Sequence, residues 1–122
     1  MLTFSRKHNK PIFIAEATPV LETEGLFFDA DLKKEVIAQR AWQQWFTPFF
    51  RTLEDNQDVI KAFSYINADW SSQPMWLLNT TFQKVDSRLQ VSQLLTEKWN
   101  AEMAKPRYLN SFPELFSILN NK

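Results

Sequence analysis

Two short apolar runs separated by one helical segment constrain this chain most. The first, Pro11-Ile12-Phe13-Ile14-Ala15-Glu16-Ala17-Thr18-Pro19, lies between prolines and carries a single carboxylate near its end. The second, Ile60-Lys61-Ala62-Phe63-Ser64-Tyr65-Ile66-Asn67-Ala68-Asp69-Trp70, closes on aromatic and polar residues. Apolar runs of this length bounded by turn residues read as strands buried on both faces, as in a parallel sheet. Strand, helix, strand is the order of a parallel β-α-β unit, and chemistry then collects beyond the C-terminal strand ends.

The fold class is therefore α/β, with parallel strands at about 12–17 and 59–66 and helices at about 31–53 and 91–104. The chain has 122 residues, enough for one domain with its own core. A complete eight-stranded α/β barrel takes about 250 residues, so a single partial domain over 1–122 is expected. The opening supports this. Leu2, Phe4 and the basic run from Ser5 to Lys10 read as the last turn of a helix, and cations suit that end of a helix. Met1 is thus expected to fall inside a larger fold.

Asp31 is the expected N-cap of the first long helix. Val36, Ile37, Trp42, Trp45, Phe46, Phe49, Phe50 and Leu53 recur at spacings of three and four, the signature of a core-facing stripe. Pro48 should kink or divide that helix, because proline lacks the N–H and crowds the preceding turn. Residues 18–29 read as a loop long enough to shape a cleft, with Glu22 and Glu24 solvated in it. Residues 67–86 form a second long connection. Leu94, Leu95, Trp99 and Met103 mark the inner side of the last helix. Ser111 and Pro113 would open a short terminal helix over 112–119.

The formal net charge of +0 argues against a nucleic-acid or anionic-membrane partner. No run of about 18 apolar residues is present, so no transmembrane segment is expected. Arg6, Lys7 and Lys10 before the first strand imitate a signal peptide, but Glu16 interrupts the apolar stretch too early. With 0 Cys there is neither a disulfide framework nor a thiolate metal site, and the compartment is left open. His8, the single histidine, reads as a surface residue with no metal role. Aromatic residues make up 15% of the chain, including 5 Trp and 11 Phe. Such an excess fits a large core, a sugar-stacking surface, or an interface.

Five segments in order resemble the C-terminal part of β-mannanase-like enzymes of glycoside hydrolase family twenty-six. They are Lys10 to Pro19, Trp45-Phe46-Thr47-Pro48-Phe49-Phe50, Ala62 to Trp70, Gln73-Pro74-Met75-Trp76, and Asp86-Ser87-Arg88-Leu89-Gln90. The resemblance implies the C-terminal fragment of a (β/α)8 barrel, with the two strands as its seventh and eighth. It implies a retaining hydrolase of β-linked, mannan-like polysaccharide that uses no cofactor and no metal. The family's nucleophile is a Glu at the end of the seventh strand, and Glu16 matches that position. Its acid/base Glu, at the end of the fourth strand, has no counterpart in this chain, so the chain alone is expected to be inactive.

The chemistry agrees with that assignment. A retaining glycosidase needs two carboxyl groups about 5–5.5 Å apart, one attacking and one moving a proton. Glu16 can attack as the carboxylate, whereas a strand-end Glu is otherwise satisfied by an Arg or by loop amides. Asp69 is the best acid within the chain, but it lies beyond the second strand. Tyr65, Asn67, Asp69, Trp70 and Trp76 suit a sugar site, since aromatic faces pack on pyranose C–H faces and amides bond hydroxyls. Trp70 equally suits packing under the loop, and Trp76 suits packing better than sugar contact. Arg88 beside Asp86 reads as a loop anchor. The alternative function is a noncatalytic carbohydrate-binding or protein-interaction module, and uncovered apolar strand edges would favour self-association.

Overall fold

The computed structural model describes residues 1–19 and 34–109, together with 114, 117 and 120. Helix α1, Leu2–His8, ends within the basic run that reads as a helix end in the sequence. Asn9 takes the left-handed conformation (φ 50°, ψ 46°), and the cap returns N–H groups to the carbonyls of Arg6 and Ser5. Asn reaches that region more easily than other non-glycine residues. Arg6 then forks onto Asp58, with Nε and Nη2 at 2.7 and 2.9 Å, and Nη2 also reaches Asn56 at 2.9 Å. The first helix is thereby tied to the turn that precedes the second strand.

Strands β1 (Ile12–Ala17) and β2 (Ile60–Tyr65) pair in parallel as one two-stranded sheet. Between them run α2 (Lys34–Ala41), a π-helical turn (Trp42–Phe46) and α3 (Thr47–Asp55). The last helix, α4, spans Gln93–Met103 and starts at Ser92, whose hydroxyl accepts the Leu95 N–H. The expected N-cap Asp31, the 20–29 loop with Glu22 and Glu24, and the terminal helix over 112–119 lie outside the continuously described residues.

The expected break at Pro48 takes a particular form. Thr47 donates its N–H to the Trp42 carbonyl, five residues back, and Pro48 occupies the first turn of α3. A widened turn lets the chain pass a residue that has no N–H and cannot tolerate a tight preceding carbonyl. The helical path continues, so the apolar stripe stays on one side. Ile37, Ala38, Ala41, Phe46, Phe50 and Leu53 meet Leu95 of α4 in the core, and Ile14, Ile60, Phe63 and Tyr65 pack on it from the sheet. Phe46 is fully buried and its ring lies within about 6 Å of Trp42, Trp45, Tyr65 and Trp99.

One expectation is corrected. The strands are not buried on both faces among the described residues, since Phe13 is 62% exposed and Ala15 and Glu16 are open. Among the described residues the helices that form the core cover one face. An apolar run cannot report this by itself, because Phe13 is as hydrophobic as the Ile12 and Ile14 that flank it.

Beyond α4 an ion cluster closes the core. The Glu102 side chain, 10% exposed, accepts from Arg107 at 2.5 Å, Lys105 at 2.6 Å and the Tyr108 hydroxyl at 3.1 Å. Burial pushes the carboxyl up, but these hydrogen bonds together outweigh it and hold it below the ordinary 4.5. Burial pushes the Tyr108 phenol up to about 12, so it remains a donor. A carboxylate that is harder to protonate when folded stabilises the native state above the ordinary Glu value. That stabilisation is lost as pH falls through the lowered folded value. Acid titration of the unfolding midpoint should therefore be shallower in Glu102→Gln than in the unaltered chain. Identical slopes would remove Glu102 from the account.

Candidate functional site

The parallel strands bring the ends of β1 and β2 to one side, and the Ile66 N–H bonds the Ala17 carbonyl at 2.9 Å. The register is irregular there. Three steps from Ile14 to Ala17 face two from Phe63 to Tyr65. An extra residue in one strand re-aims the side chains around it, a device common beside active sites. Glu16 sits in that irregularity, exposed, while Ala17 next to it is 5% exposed. Among the described residues the Glu16 side chain makes no hydrogen bond or ion pair. Its carboxylate is therefore not engaged by any described Arg or loop amide.

The connection after β2 is folded on itself. Asp69 and Asp86 form an antiparallel bridge. Arg88 forks onto Asp86, with Nε at 2.9 Å and Nη2 at 2.6 Å, and Nη2 lies 3.4 Å from Asp69. The Asp69 carboxylate also accepts the Ser71 hydroxyl at 2.6 Å and the Ser72 N–H at 3.3 Å. The Ser71 hydrogen bond is the main cause that lowers its pKa; burial opposes it as the next largest effect, and Ser72 and the Arg88 charge add to the lowering. Asp69 is thus held ionised and fully engaged.

The other expected site residues take distinct places. Tyr65 has its ring in the core against Phe46 and Trp99, and its hydroxyl donates to the Ser87 carbonyl at 2.6 Å. Burial, reinforced by the Asp86 charge, raises its pKa, so the phenol stays protonated. Asn67 is exposed at the strand end and bonds the Leu89 N–H and the Gln90 side chain, at 2.8 and 3.1 Å. Trp70 donates its indole N–H to the Ser87 hydroxyl at 3.2 Å. Trp76 packs against Trp70 and Phe82 at 6.0 and 4.7 Å, and its buried indole nitrogen has no hydrogen-bond partner among the described residues. Tyr65 and Trp70 thus meet at Ser87, Asp69 meets Arg88, and Trp76 lies under the loop.

Sequence reasoning quoted Ser87 within a motif but gave it no role. A lone Ser in a polar loop carries no periodic signal, and its contacts come from residues 65, 68 and 70. No group of three or more His, Cys, Asp or Glu among the described residues is arranged to hold a metal ion. No helix among them is long and apolar enough to cross a membrane.

Arg88 is the only described cation on the bridge between Asp69 and Asp86. Arg88→Ala would leave two carboxylates side by side at the base of the loop, and like charges in that position repel. Limited proteolysis should then cut within 70–85 faster than in the unaltered chain. Unchanged cutting would mean that the backbone bridge holds the loop unaided.

The chain is thus an α/β polypeptide with Glu16 near the C-terminal end of β1, and with Asn67, Asp69 and Trp70 in the connection that follows β2. No family model matches it. It is 38% identical over 124 residues to β-1,3-xylanase TXYA of Vibrio sp., covering 95% of this chain and 27% of that enzyme. It is 36% identical over the same length to a β-1,3-xylanase of Alcaligenes sp., covering 95% and 26%. The chain therefore spans about a quarter of the length of the curated relatives it matches. Its relatives are glycoside hydrolases, and by name they are xylanases rather than the mannanases that the five segments suggested.

Proposed function

We propose that this chain supplies the seventh and eighth strand-helix units of a (β/α)8 glycoside hydrolase, with Glu16 as the nucleophile. The observation that carries this reading is an unengaged carboxylate at an irregular strand end, in a chain similar to two β-1,3-xylanases along nearly its whole length. The relatives' names move the proposed substrate from mannan to a β-1,3-linked xylan. The retaining mechanism rests on the family twenty-six resemblance.

In that mechanism a Glu16 oxygen attacks the anomeric carbon. The bond from that carbon to the leaving oxygen breaks, and an acid protonates the departing sugar. Water then attacks the glycosyl ester, giving its proton to the same group, and Glu16 leaves as the carboxylate. The acid must hold a proton at working pH, which Asp69 does not. By the family twenty-six resemblance the acid/base Glu belongs to the fourth strand, outside this chain, and we expect no turnover by the chain alone. Trp70, Asn67 and Asp69 would form one wall of the sugar groove. Tyr65 and Trp76 would support it from beneath, as their packing favours.

The test is a chimera in which this chain replaces the matching quarter of the Vibrio enzyme. It should hydrolyse β-1,3-xylan and leave mannan intact. Hydrolysis of mannan alone would return the assignment to the mannanases. A folded chimera that retards in a xylan gel without cleaving it would favour the binding-module alternative.

A further inference from the structure

Ser87 is 1% exposed in a loop whose neighbours at 86 and 88 reach solvent. All of its polar groups are used. Its N–H donates to the Ala68 carbonyl at 2.9 Å, its carbonyl accepts the Tyr65 hydroxyl at 2.6 Å, and its Oγ accepts the Trp70 indole N–H at 3.2 Å. These three contacts join the end of β2, the start of the loop and its return. Trp70 is further bounded by Trp76 at 6.0 Å and Phe82 at 5.4 Å. The Asn79 side chain accepts the N–H groups of Thr81 and Phe82, both at 3.0 Å, which fixes the turn carrying Phe82.

We infer that Ser87 is a positioning residue: its hydroxyl sets the plane and depth of the Trp70 ring, and so the apolar wall offered to a β-linked xylose unit. This rests on the proposed sugar site. The physical argument is that edge-to-face and offset-stacked arrangements are both favourable for aromatic pairs, so packing alone leaves an indole more than one tilt. One hydrogen bond from Nε1 to a buried, backbone-anchored acceptor removes that freedom. Among the described residues Trp76 has no such bond, since its buried Nε1 finds no acceptor there. The two indoles of the loop are thus held differently, and only Trp70 is pinned by both packing and a hydrogen bond. Loss of the Ser87 hydroxyl would also leave the Trp70 N–H unpaired, so the ring would turn to find another acceptor.

The test uses the whole chain. Its 5 tryptophans give separate indole resonances in a proton–nitrogen correlation spectrum, and Trp70→Phe identifies the one that matters. In the unaltered chain that proton should exchange slowly with solvent. In Ser87→Ala its resonance should move and its protection fall, while those of Trp42, Trp45 and Trp99 stay in place and report an intact core. Fast exchange in the unaltered chain would overturn the inference, and this holds even if Ser87→Ala does not fold.

Titration with β-1,3-xylooligosaccharide supplies the functional arm. Ser87→Ala should weaken binding about fivefold, the scale of one lost hydrogen bond. In a Trp70→Phe background it should add less than about a further twofold, since coupled residues are not additive. Equal weakening in both backgrounds would show that Ser87 acts on something other than Trp70. No binding by the unaltered chain would overturn the sugar-site reading itself. The indole exchange would then decide the Ser87–Trp70 contact alone.

Discussion

Phe46→Ala is expected to lower the unfolding free energy by about 3–5 kcal/mol, the range for truncating a buried aromatic side chain. Phe46 is fully buried at the centre of the aromatic cluster. It stacks on Trp42 at 5.1 Å, meets Trp45 edge-on at 4.9 Å, and touches Tyr65 of β2 and Trp99 of α4. Removing the ring empties the point where the π-helical turn, the sheet and the last helix converge. Native domains are stable by only about 5–15 kcal/mol, so the variant should be largely unfolded under mild denaturant. Urea unfolding followed by circular dichroism measures this. A loss below about 1 kcal/mol would mean that the surrounding rings close over the gap, against the close packing of interiors.

Glu16→Ala is expected to do the opposite. Glu16 is exposed and its side chain makes no hydrogen bond or ion pair among the described residues. Its loss should therefore leave stability unchanged within about 0.5 kcal/mol. In the chimera with the Vibrio relative, however, hydrolysis of β-1,3-xylan should fall at least roughly ten-thousandfold, the scale of removing a nucleophile. The pair of results matters more than either alone. A folded and inactive variant supports a chemical role, whereas an unfolded one would return Glu16 to the scaffold. Activity of the unaltered chain by itself would overturn the placement of the acid/base elsewhere.

Much of this was legible in the sequence because the signals were local. Two apolar runs between turn residues gave the parallel strands within a residue at each end. The basic run from Ser5 to Lys10 marked the end of α1, and the stripe from Ile37 to Leu53 marked the core. What escaped depends on contacts between distant residues. The one-sided burial of β1 follows from where the helices pack, which an apolar run does not encode. The π-helical turn before Pro48 follows from how the backbone resolves a missing N–H, and a kink would have satisfied the same sequence.

The candidate site divides in the same way. Glu16 was visible as a lone carboxylate in an apolar strand, and Asp86-Ser87-Arg88 was visible as a polar cluster. The partners that Asp69, Tyr65 and Ser87 take were not. Asp69 looked available for proton transfer until Ser71 and Arg88 were found to hold it ionised. Tyr65 looked like a sugar contact, but its hydroxyl is committed to Ser87.

The most direct measurement is covalent trapping in the chimera. A xylobioside fluorinated beside the anomeric carbon, with a leaving group that needs no protonation, slows breakdown of the glycosyl ester so that it accumulates. Mass spectrometry of the digested protein should find the added sugar on the peptide containing Glu16, and nowhere in Glu16→Ala. An ester on another carboxylate, or continued turnover without Glu16, would contradict the account.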